Sequence, residues 1–250
     1  MLLKSRIAIV TGSSAGIGRG VAIAFAAEGA RVIVNYPDAG ERQAAHDAVD
    51  QIRAGGGEAQ AVEADVSNEA AAARLVEAAR EHFGGVDILV NNAGIANAAP
   101  VQEMAIEQWD RVIAVHLRGM FLVTRKVLPL LYARGFGRII NTASQLAYKG
   151  AAGFAHYTAA KGAIIAFTRS LALEIGNRGV NVNCVAPGAT RTRMLADVPE
   201  EIMEQIRAAI PLGRIAEVSD IVPSYVFLAS EAGRHYQGQC ISPNGGDVFL

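Results

Sequence analysis

The sequence predicts an α/β fold in which a doubly wound parallel sheet carries helices on both faces. Strand-like apolar segments alternate with helix-like segments along the whole chain, an order typical of parallel sheets. A glycine-rich turn at 11–18 joins the first strand to the first helix. The chain is 51% hydrophobic and 19% charged with 26 glycines, as in proteins whose helices pack closely on a sheet. No linker or repeat divides it, so we expect one domain over 1–250.

The individual elements are predicted from hydrophobic periodicity and from turn residues. Ile7, Ile9 and Val10 form a short apolar run, which indicates a buried strand over 4–10. The other strands are predicted at 31–35, 59–64, 87–91, 137–141, 180–185 and 240–242. The helices are predicted from 17 to 29 and at 39–54, 69–83, 106–134, 157–177, 199–209 and 219–228. The segment 189–215 interrupts the alternation and is predicted to be a substrate lid.

Ligands of doubly wound sheets bind beyond the carboxyl ends of the strands. The loops after Val10, Asn35, Asn91, Asn141 and Val185 are therefore expected to converge on one site. Two of these loops carry distinctive sequences, a glycine-rich turn after Val10 and a serine-containing loop after Asn141.

The glycine-rich turn, Thr11-Gly12-Ser13-Ser14-Ala15-Gly16-Ile17-Gly18, is suited to holding a pyrophosphate. Its glycines let backbone amides approach the phosphates, and the N-terminus of the following helix faces their charge. The spacing differs from the G-x-G-x-x-G fingerprint, and Arg19-Gly20 after the turn excludes a P-loop. A tight turn with no ligand is the alternative interpretation.

The same turn also satisfies G-x-S-x-G, the nucleophile elbow of α/β-hydrolases, with Ser14 as the nucleophile. A hydrolase would further need an acidic residue and then a histidine downstream. Of the five histidines only His235 sits near a late loop, so the pattern favours this hypothesis weakly.

A candidate catalytic group is formed by Ser144, Tyr157 and Lys161. Tyr157 and Lys161 are four residues apart at the start of a predicted helix, and so lie on one face of it. An ammonium beside a phenol lowers the phenol pKa, which makes a tyrosinate base accessible. Ser144 follows the strand that ends at Asn141, and its hydroxyl is expected to bond the same substrate oxygen. Taken alone, Tyr-x-x-x-Lys is common on helix surfaces.

In combination these motifs resemble the short-chain dehydrogenase/reductase family. They are Thr11-Gly12-x-x-x-Gly16-x-Gly18, Asn91-Asn92-Ala93-Gly94, Ser144, Tyr157-x-x-x-Lys161 and Pro187-Gly188, in this order. The likeness covers essentially the whole chain, and its strongest form is to 3-oxoacyl-thioester reductases. It implies a Rossmann-like fold and an oxidoreductase that moves a hydride between NAD(P)(H) and a carbonyl or secondary alcohol.

The resemblance also implies roles for individual residues. Tyr157 would exchange a proton with the substrate oxygen, Ser144 would orient that oxygen, and Lys161 would bind the nicotinamide ribose. The implied dinucleotide contacts are Gly12, Ser14, Gly16, Ile17, Gly18, Asn35, Tyr36, Asp65, Val66, Asn92, Ala93, Gly94, Tyr157, Lys161, Pro187, Gly188, Thr190 and Thr192.

His116 is the one departure from the family pattern, which commonly has Asn at this position. That Asn holds a water in the proton relay that leads to the lysine. His116 is therefore a candidate relay or site-shaping residue, and a packed helix histidine is the alternative.

The cofactor is expected to be NADP, with NAD not excluded. The position at the end of the second strand where NAD enzymes place an acidic residue is Tyr36, which is neutral, and Asn35 precedes it. The basic residue that NADP enzymes place in the glycine turn is replaced by Ala15, and Asp38 would reverse the preference by turning toward the ribose.

The substrate is expected to be a small carbonyl compound or alcohol. A 3-oxoacyl thioester is favoured, and a sugar, polyol or cyclic alcohol remains open. A protein of a different class, a silent dinucleotide-binding sensor on the same fold, is also open.

Partners of other kinds are not expected. The net charge of −1 gives no basic surplus for nucleic acid, and the apolar run before Thr11 is too short to span a membrane. Cys184 and Cys240 lack metal-ligand spacing. We expect a cytoplasmic protein without a metal site. The apolar content of the helices at 106–134 and 157–177, with the family resemblance, predicts a homotetramer.

Overall fold

The computed structural model describes residues 1–196 and 198–249 and contains a parallel sheet of seven strands. The strands are β1 (Ile7–Val10), β2 (Arg31–Tyr36), β3 (Glu58–Glu63), β4 (Ile88–Asn91), β5 (Gly137–Thr142), β6 (Val180–Val185) and β7 (Cys240–Ile241). Their order across the sheet is β3-β2-β1-β4-β5-β6-β7. The chain thus winds outward twice from β1, and the predicted doubly wound sheet is confirmed.

Helices cover both faces of this sheet. They are α1 (Gly16–Ala27), α2 (Arg42–Ala54), α3 (Glu69–Phe83), α4 (Ile106–Ile113), α5 (Gly119–Arg134), α6 (Leu146–Lys149), α7 (Ala155–Ile175), α8 (Glu200–Ala209) and α9 (Val218–Ala229). One apolar core lies between the sheet and α1, α2 and α9, and a second lies between the sheet and α3, α5 and α7. Neighbouring residues of β1 divide between them, since Ala8 and Val10 enter the first core and Ile9 the second.

Strand β1 begins at Ile7, later than the predicted start at Lys4. The residues before it form a turn in which Ser5 has a φ of 63° and its amide donates to the Gly29 carbonyl. The amino-terminal residues are therefore used to fasten the end of α1, and they do not extend the sheet.

The predicted helix at 106–134 is continuous but changes its geometry in the middle. A π-helical segment, Ala114–Arg118, separates α4 from α5 and contains His116. Such widened turns often occur at functional sites because they redirect side chains. Apolar periodicity carries no signal for the one extra residue in this turn, so the sequence did not predict it.

A buried polar bridge joins the carboxyl ends of β4 and β5 to α7. Asn91 Nδ2 donates to Asn141 Oδ1 at 2.8 Å, and Asn141 Nδ2 donates to Thr168 Oγ1 at 2.8 Å. Thr168 in turn donates to the Ile164 carbonyl one turn earlier in α7. Because Asn141 and Thr168 are fully buried, these bonds fix the distance between strand end and helix.

None of the helices in the described part of the chain combines the length and hydropathy that a membrane span requires. Residues 1–196 and 198–249 also contain no group of three or more His, Cys, Asp or Glu side chains arranged to hold a metal ion.

We predict that Asn141→Leu lowers the free energy of unfolding by about 2 to 4 kcal/mol, because it removes two buried hydrogen bonds, one from the Asn91 amide and one to the Thr168 hydroxyl. Urea unfolding followed by circular dichroism measures this change. Asn177→Leu, at an exposed position, is the matched control and should shift stability by about 0.5 kcal/mol or less. Equal effects of the two substitutions would show that the polar bridge does not stabilise the fold.

Candidate active site

The glycine-rich turn is packed too closely for side chains at two of its glycines. Gly12 has a φ of 60°, and a Cβ there would lie 2.7 Å from Ala93 Cα. A Cβ on Gly18 would lie 2.4 Å from Asn92 Nδ2. The turn therefore presses against the loop that follows β4, as expected if both loops form one site.

Thr11 and Asn92 lock these two loops together. Thr11 Oγ1 accepts from the amides of Asn92 and Ala93 at 2.9 and 3.0 Å. Asn92 Nδ2 donates to the carbonyls of Thr11 and Gly12, each at 3.0 Å. Asn92 is thus placed as a brace of the glycine turn, while Ala93 and Gly94 continue toward the centre of the site.

The N-terminus of α1 is open to an anion. Ala15 is the N-cap residue and has no side chain that could accept from the first-turn amides of Gly16, Ile17 and Gly18. Unsatisfied amides at a helix N-terminus favour a bound phosphate. The residues present therefore fit a pyrophosphate at this position.

Asn35 lies beneath the turn, in contrast to its expected place against the cofactor. Its Oδ1 accepts from the Gly12 amide at 3.0 Å, and its Nδ2 donates to the Ala64 carbonyl at 2.9 Å. The side chain is buried and its polar atoms are engaged. Asn35 therefore stabilises the turn from below, and its contact with a 2′-phosphate stays a prediction.

The end of β2 carries a carboxylate that the sequence analysis did not single out. Tyr36 is buried, and Asp38 caps a short 3-10 turn by accepting from the Gly40 amide at 2.9 Å. Glu41 instead reaches the glycine turn, where its Oε2 accepts from Ser14 Oγ at 2.8 Å. Ser14 therefore donates to a carboxylate and lacks the histidine contact that the nucleophile elbow requires.

Asp65 follows β3 on the side of the sheet where an adenine ring is expected. Arg111 pairs with its carboxylate at 3.0 Å, and Ser67 donates to it from its hydroxyl and its amide. Burial alone would raise the pKa of Asp65, but these hydrogen bonds and Arg111 lower it. Val66 beside it is buried and offers an apolar surface.

Ser144, Tyr157 and Lys161 lie close together near the carboxyl end of β5, as the sequence predicts. The Ser144 side chain is a neighbour of the Tyr157 hydroxyl and lowers the pKa of that phenol. Lys161 Nζ is 5.6 Å from the centre of the Tyr157 ring and donates to the Thr142 carbonyl at 2.6 Å. Serine and lysine are thus both neighbours of one phenol, and Tyr157 keeps part of its surface exposed.

The expected low pKa of Tyr157 is not found in this structure. Burial raises the pKa of Tyr157 above its ordinary value, and the neighbouring Ser144 hydroxyl opposes this only in part. Burial also lowers the pKa of Lys161 to about 7. Because the lysine is poorly solvated and only partly charged near neutral pH, its electrostatic effect on the phenol is weak.

His116 packs in the centre of the site without reaching solvent. Its Nε2 lies 2.7 Å from the Ile95 carbonyl and 3.0 Å from the Ile95 amide, and its ring meets the Tyr157 ring edge-on at 5.2 Å. A Cβ on Gly94 would lie 2.5 Å from the imidazole. Burial and the nearby Lys161 lower the pKa of His116 to about 3, so the ring is neutral at physiological pH.

A second histidine beside the candidate catalytic tyrosine was missed by the sequence analysis. His156 is buried, and its Nε2 lies 3.0 Å from Asn97 Oδ1. His116 and His156 thereby hold Ile95 and Asn97, two residues of the loop after β4. A histidine next to Tyr157 gives no sequence signal that separates this role from core packing.

The loop after β6 closes the other side of the site. Thr190 Oγ1 donates to the Gly188 carbonyl at 2.9 Å, and a Cβ on Gly188 would lie 2.7 Å from Asn244 Cα. Thr192 lies over the glycine turn, since a Cβ on Gly16 would be 3.4 Å from its Cγ2. Pro187, which precedes this loop, accepts at its carbonyl from the Gln145 amide. Asp197, within the predicted lid, lies outside the described residues.

The chain is similar to known proteins over almost its whole length. A family model described as enoyl-(acyl carrier protein) reductase matches residues 12–247. The 3-oxoacyl-(acyl-carrier-protein) reductase of Synechocystis is 40% identical over 99% of both chains. A subunit of (2S)-((R)-hydroxy(phenyl)methyl)succinyl-CoA dehydrogenase from Thauera aromatica is 37% identical over 98% of both chains.

Two solved structures share the fold. A protein from Sinorhizobium meliloti, assigned as a short-chain alcohol dehydrogenase, has a TM-score of 0.93 and 34% identity, covering 98% of this chain and 97% of that one. A protein from Beutenbergia cavernae, assigned as an NAD(P)-dependent gluconate 5-dehydrogenase and solved with NADP at low occupancy, has a TM-score of 0.92 and 38% identity with the same coverage.

We predict that the burial of Lys161 makes the stability of the ligand-free protein depend on pH. Between its folded pKa of about 7 and its ordinary value of 10.5, the unfolded chain binds a proton that the folded chain does not. The free energy of unfolding should therefore rise with pH in this window, by up to about 1.4 kcal/mol per pH unit, relative to Lys161→Met.

Urea unfolding at several pH values from 7 to 10 measures this slope. Lys4→Met removes an exposed lysine and is the matched control, which should follow the wild type. Parallel curves for the wild type and Lys161→Met would contradict the lowered pKa.

Proposed function

Because this chain belongs to the short-chain dehydrogenase/reductase family and is an NAD(P)-dependent oxidoreductase of carbonyl and CH–OH groups, we propose that it reduces 3-oxoacyl thioesters at Ser144, Tyr157 and Lys161. The observation that carries this proposal is the convergence of these three side chains at the edge of the sheet where the glycine turn also lies. The bound dinucleotide supplies the hydride.

Tyr157 acts as the proton donor in the direction of reduction. Its raised pKa keeps the hydroxyl protonated in the ligand-free protein, so it is ready to donate to a carbonyl oxygen. Ser144 donates a second hydrogen bond to that oxygen and stabilises the negative charge that develops on it. Lys161, held by the Thr142 carbonyl, lies near the phenol, where it would bind the nicotinamide ribose and return a proton to Tyr157.

The dinucleotide would be held by residues from each loop at this edge. The amides of Gly16, Ile17 and Gly18 would bind the pyrophosphate, and Asp65 and Val66 would contact the adenine ring. Ala93 and Gly94 would line the adenosine ribose side, with Asn92 as the brace of the turn. Gly188, Thr190 and Thr192 would bind the nicotinamide carboxamide.

His116 acts as a positioning residue in this proposal. A neutral imidazole with a pKa of about 3 cannot supply a proton near pH 7. Its bond to Ile95 instead holds the loop after β4 against Tyr157, and His156 holds the same loop through Asn97. Substitution of His116 should therefore alter substrate fit more than proton transfer.

The choice of a thioester substrate is supported by the relatives and by the segment 189–215, proposed as the lid. The Synechocystis and Thauera proteins are named for acyl-carrier-protein and CoA thioesters. Met194 and Ile202 in the lid are exposed apolar side chains, suited to an acyl chain and the arm of its carrier. Sugar or polyol oxidation is the second candidate, supported by the gluconate dehydrogenase likeness.

For the cofactor we propose a preference different from the one expected from the sequence. The NADP prediction relied on Asn35 and Tyr36 as phosphate contacts, but Asn35 is engaged by the glycine turn and Tyr36 is buried. Arg42 pairs with Glu63 at 3.0 Å. The carboxylate of Glu41 faces the expected position of the ribose 2′-group. We therefore propose that NAD(H) is favoured and that NADP(H) binds more weakly.

We predict a homotetramer that buries helices α5 and α7. Phe121 and Leu173 are 44% and 90% exposed on these helices, which leaves apolar side chains in water. Light scattering at micromolar protein should give four times the chain mass of 26.2 kDa. A monomeric mass would contradict this assembly. The cytoplasmic location expected from the sequence stays a prediction.

We predict that Tyr157→Phe lowers kcat for acetoacetyl-CoA reduction by about 10²- to 10⁴-fold, because it removes only the donated proton. The Kd for NADH should stay within about twofold of the wild type. Nicotinamide absorbance follows the reaction, and equilibrium fluorescence titration gives the Kd. Near-normal turnover by the variant would refute the catalytic role of Tyr157.

The same assay with ketoses, keto acids and cyclic ketones separates the candidate substrates. A kcat/KM higher for one of these than for acetoacetyl-CoA would replace the thioester proposal. Cofactor binding without turnover on any of them would indicate a silent dinucleotide-binding protein.

A further inference from the structure

A hydrogen-bonded chain of three residues connects the glycine turn to the lid. Glu41 Oε2 accepts from Ser14 Oγ at 2.8 Å and from Arg193 Nη2 at 2.7 Å. Arg193 begins a 3-10 turn, Arg193–Leu195, that is 152 residues away from Glu41 in the chain. These contacts hold the lid against the cofactor side of the site.

The position of this chain coincides with the expected place of the adenosine ribose. A pyrophosphate at the N-terminus of α1 would direct the adenosine ribose toward the end of β2. Ser14 lies in the turn at that N-terminus, and Glu41 lies just after the end of β2. In dinucleotide-binding folds an acidic side chain in this region accepts from the ribose 2′-hydroxyl. In this chain Glu41 is the acidic residue in that region. Tyr36 is buried, and Asp38 is engaged in capping its own turn.

The charge of Glu41 is expected to favour binding of NAD(H) and to oppose binding of NADP(H). The hydrogen bond from Arg193 lowers the pKa of Glu41, so the carboxylate is ionised at neutral pH. A 2′-phosphate beside this carboxylate is repelled, whereas a 2′-hydroxyl donates to it. Oε1 of Glu41 makes no hydrogen bond to the described residues and is available as the acceptor. The Arg193 side chain is 64% exposed, and its guanidinium is suited to binding a phosphate.

We propose that Glu41 and Arg193 together discriminate between a hydroxyl and a phosphate at the 2′-position of the cofactor's adenosine ribose. Glu41 selects the 2′-hydroxyl of NAD(H), and a 2′-phosphate binds only by drawing Ser14 and Arg193 away from Glu41. The lid therefore keeps its contact with the turn when NAD(H) binds and exchanges it for a contact with the phosphate when NADP(H) binds. This inference rests on the proposed function for the cofactor, while its test depends on binding alone.

The test is the ratio of the Kd for NADP⁺ to the Kd for NAD⁺, measured by isothermal titration calorimetry on the full chain. Glu41→Gln keeps the size and the acceptor oxygen but removes the charge, and it should lower the ratio at least tenfold. Arg193→Met removes the phosphate partner and should raise the ratio at least threefold. The same two variants should change the Kd for adenosine 2′,5′-bisphosphate in the same directions, with that for 5′-AMP nearly unchanged.

Glu217→Gln is the matched control. Glu217 forms another exposed ion pair of the lid, with Arg191 at 3.1 Å, and does not contact the glycine turn. The ratio of the Kd for NADP⁺ to the Kd for NAD⁺ in this variant should equal that of the wild type. Thermal melts identify any variant that fails to fold. A ratio within twofold of the wild type in both folded Glu41→Gln and Arg193→Met would overturn the proposal.

Failure of this inference is distinguishable from failure of the proposed function. The Kd ratios do not depend on hydride transfer. If the ratios change as predicted but no carbonyl compound is reduced, the role of Glu41 and Arg193 in cofactor selection is supported and the reductase proposal is not. Normal acetoacetyl-CoA reduction with unchanged Kd ratios would refute the role of Glu41 and Arg193 in cofactor selection and leave the reductase proposal intact.

Discussion

The position of the candidate catalytic groups depends on the buried hydrogen bonds that join Asn91, Asn141 and Thr168. Ser144 comes three residues after Asn141, and Lys161 lies two helical turns before Thr168 on the same face of α7. A bond between Asn141 and Thr168 therefore sets how far the serine loop stands from the tyrosine and lysine. Buried amides have few alternative partners, so this spacing is held more firmly than apolar packing would hold it.

The cofactor side of the site depends on a second set of polar contacts. Thr11 and Asn92 join the glycine turn to the loop after β4, and Asn35 supports the turn from below. These contacts leave the N-terminal amides of α1 available to a pyrophosphate. Glu41 then connects the turn to the lid through Arg193. Each loop at this edge is thus fixed by a neighbour, and a ligand is left to bind groups that are already oriented.

The sequence predicted the sheet, its helices and the meeting of Ser144 with Tyr157 and Lys161, because apolar periodicity and helical spacing carry this information directly. It did not predict the π-helical turn at His116 or the buried place of Asn35, which follow from tertiary contacts. It also expected a lowered Tyr157 pKa, since spacing shows that a lysine is near but not that both groups are poorly solvated. Glu41 was missed because a carboxylate five residues beyond β2 gains its meaning only from the fold.

In the proposed reaction a hydride moves from the reduced nicotinamide to a substrate carbonyl carbon while Tyr157 supplies the proton. The most direct measurement uses NADH or NADPH deuterated at C4 of the nicotinamide, with acetoacetyl-CoA as the substrate and mass spectrometry of the product. The proposed function predicts one deuterium, bound to the new carbinol carbon of the 3-hydroxyacyl product. The label is placed on each face of C4 in turn. A product without deuterium at the carbinol carbon in both experiments would contradict the proposed hydride transfer.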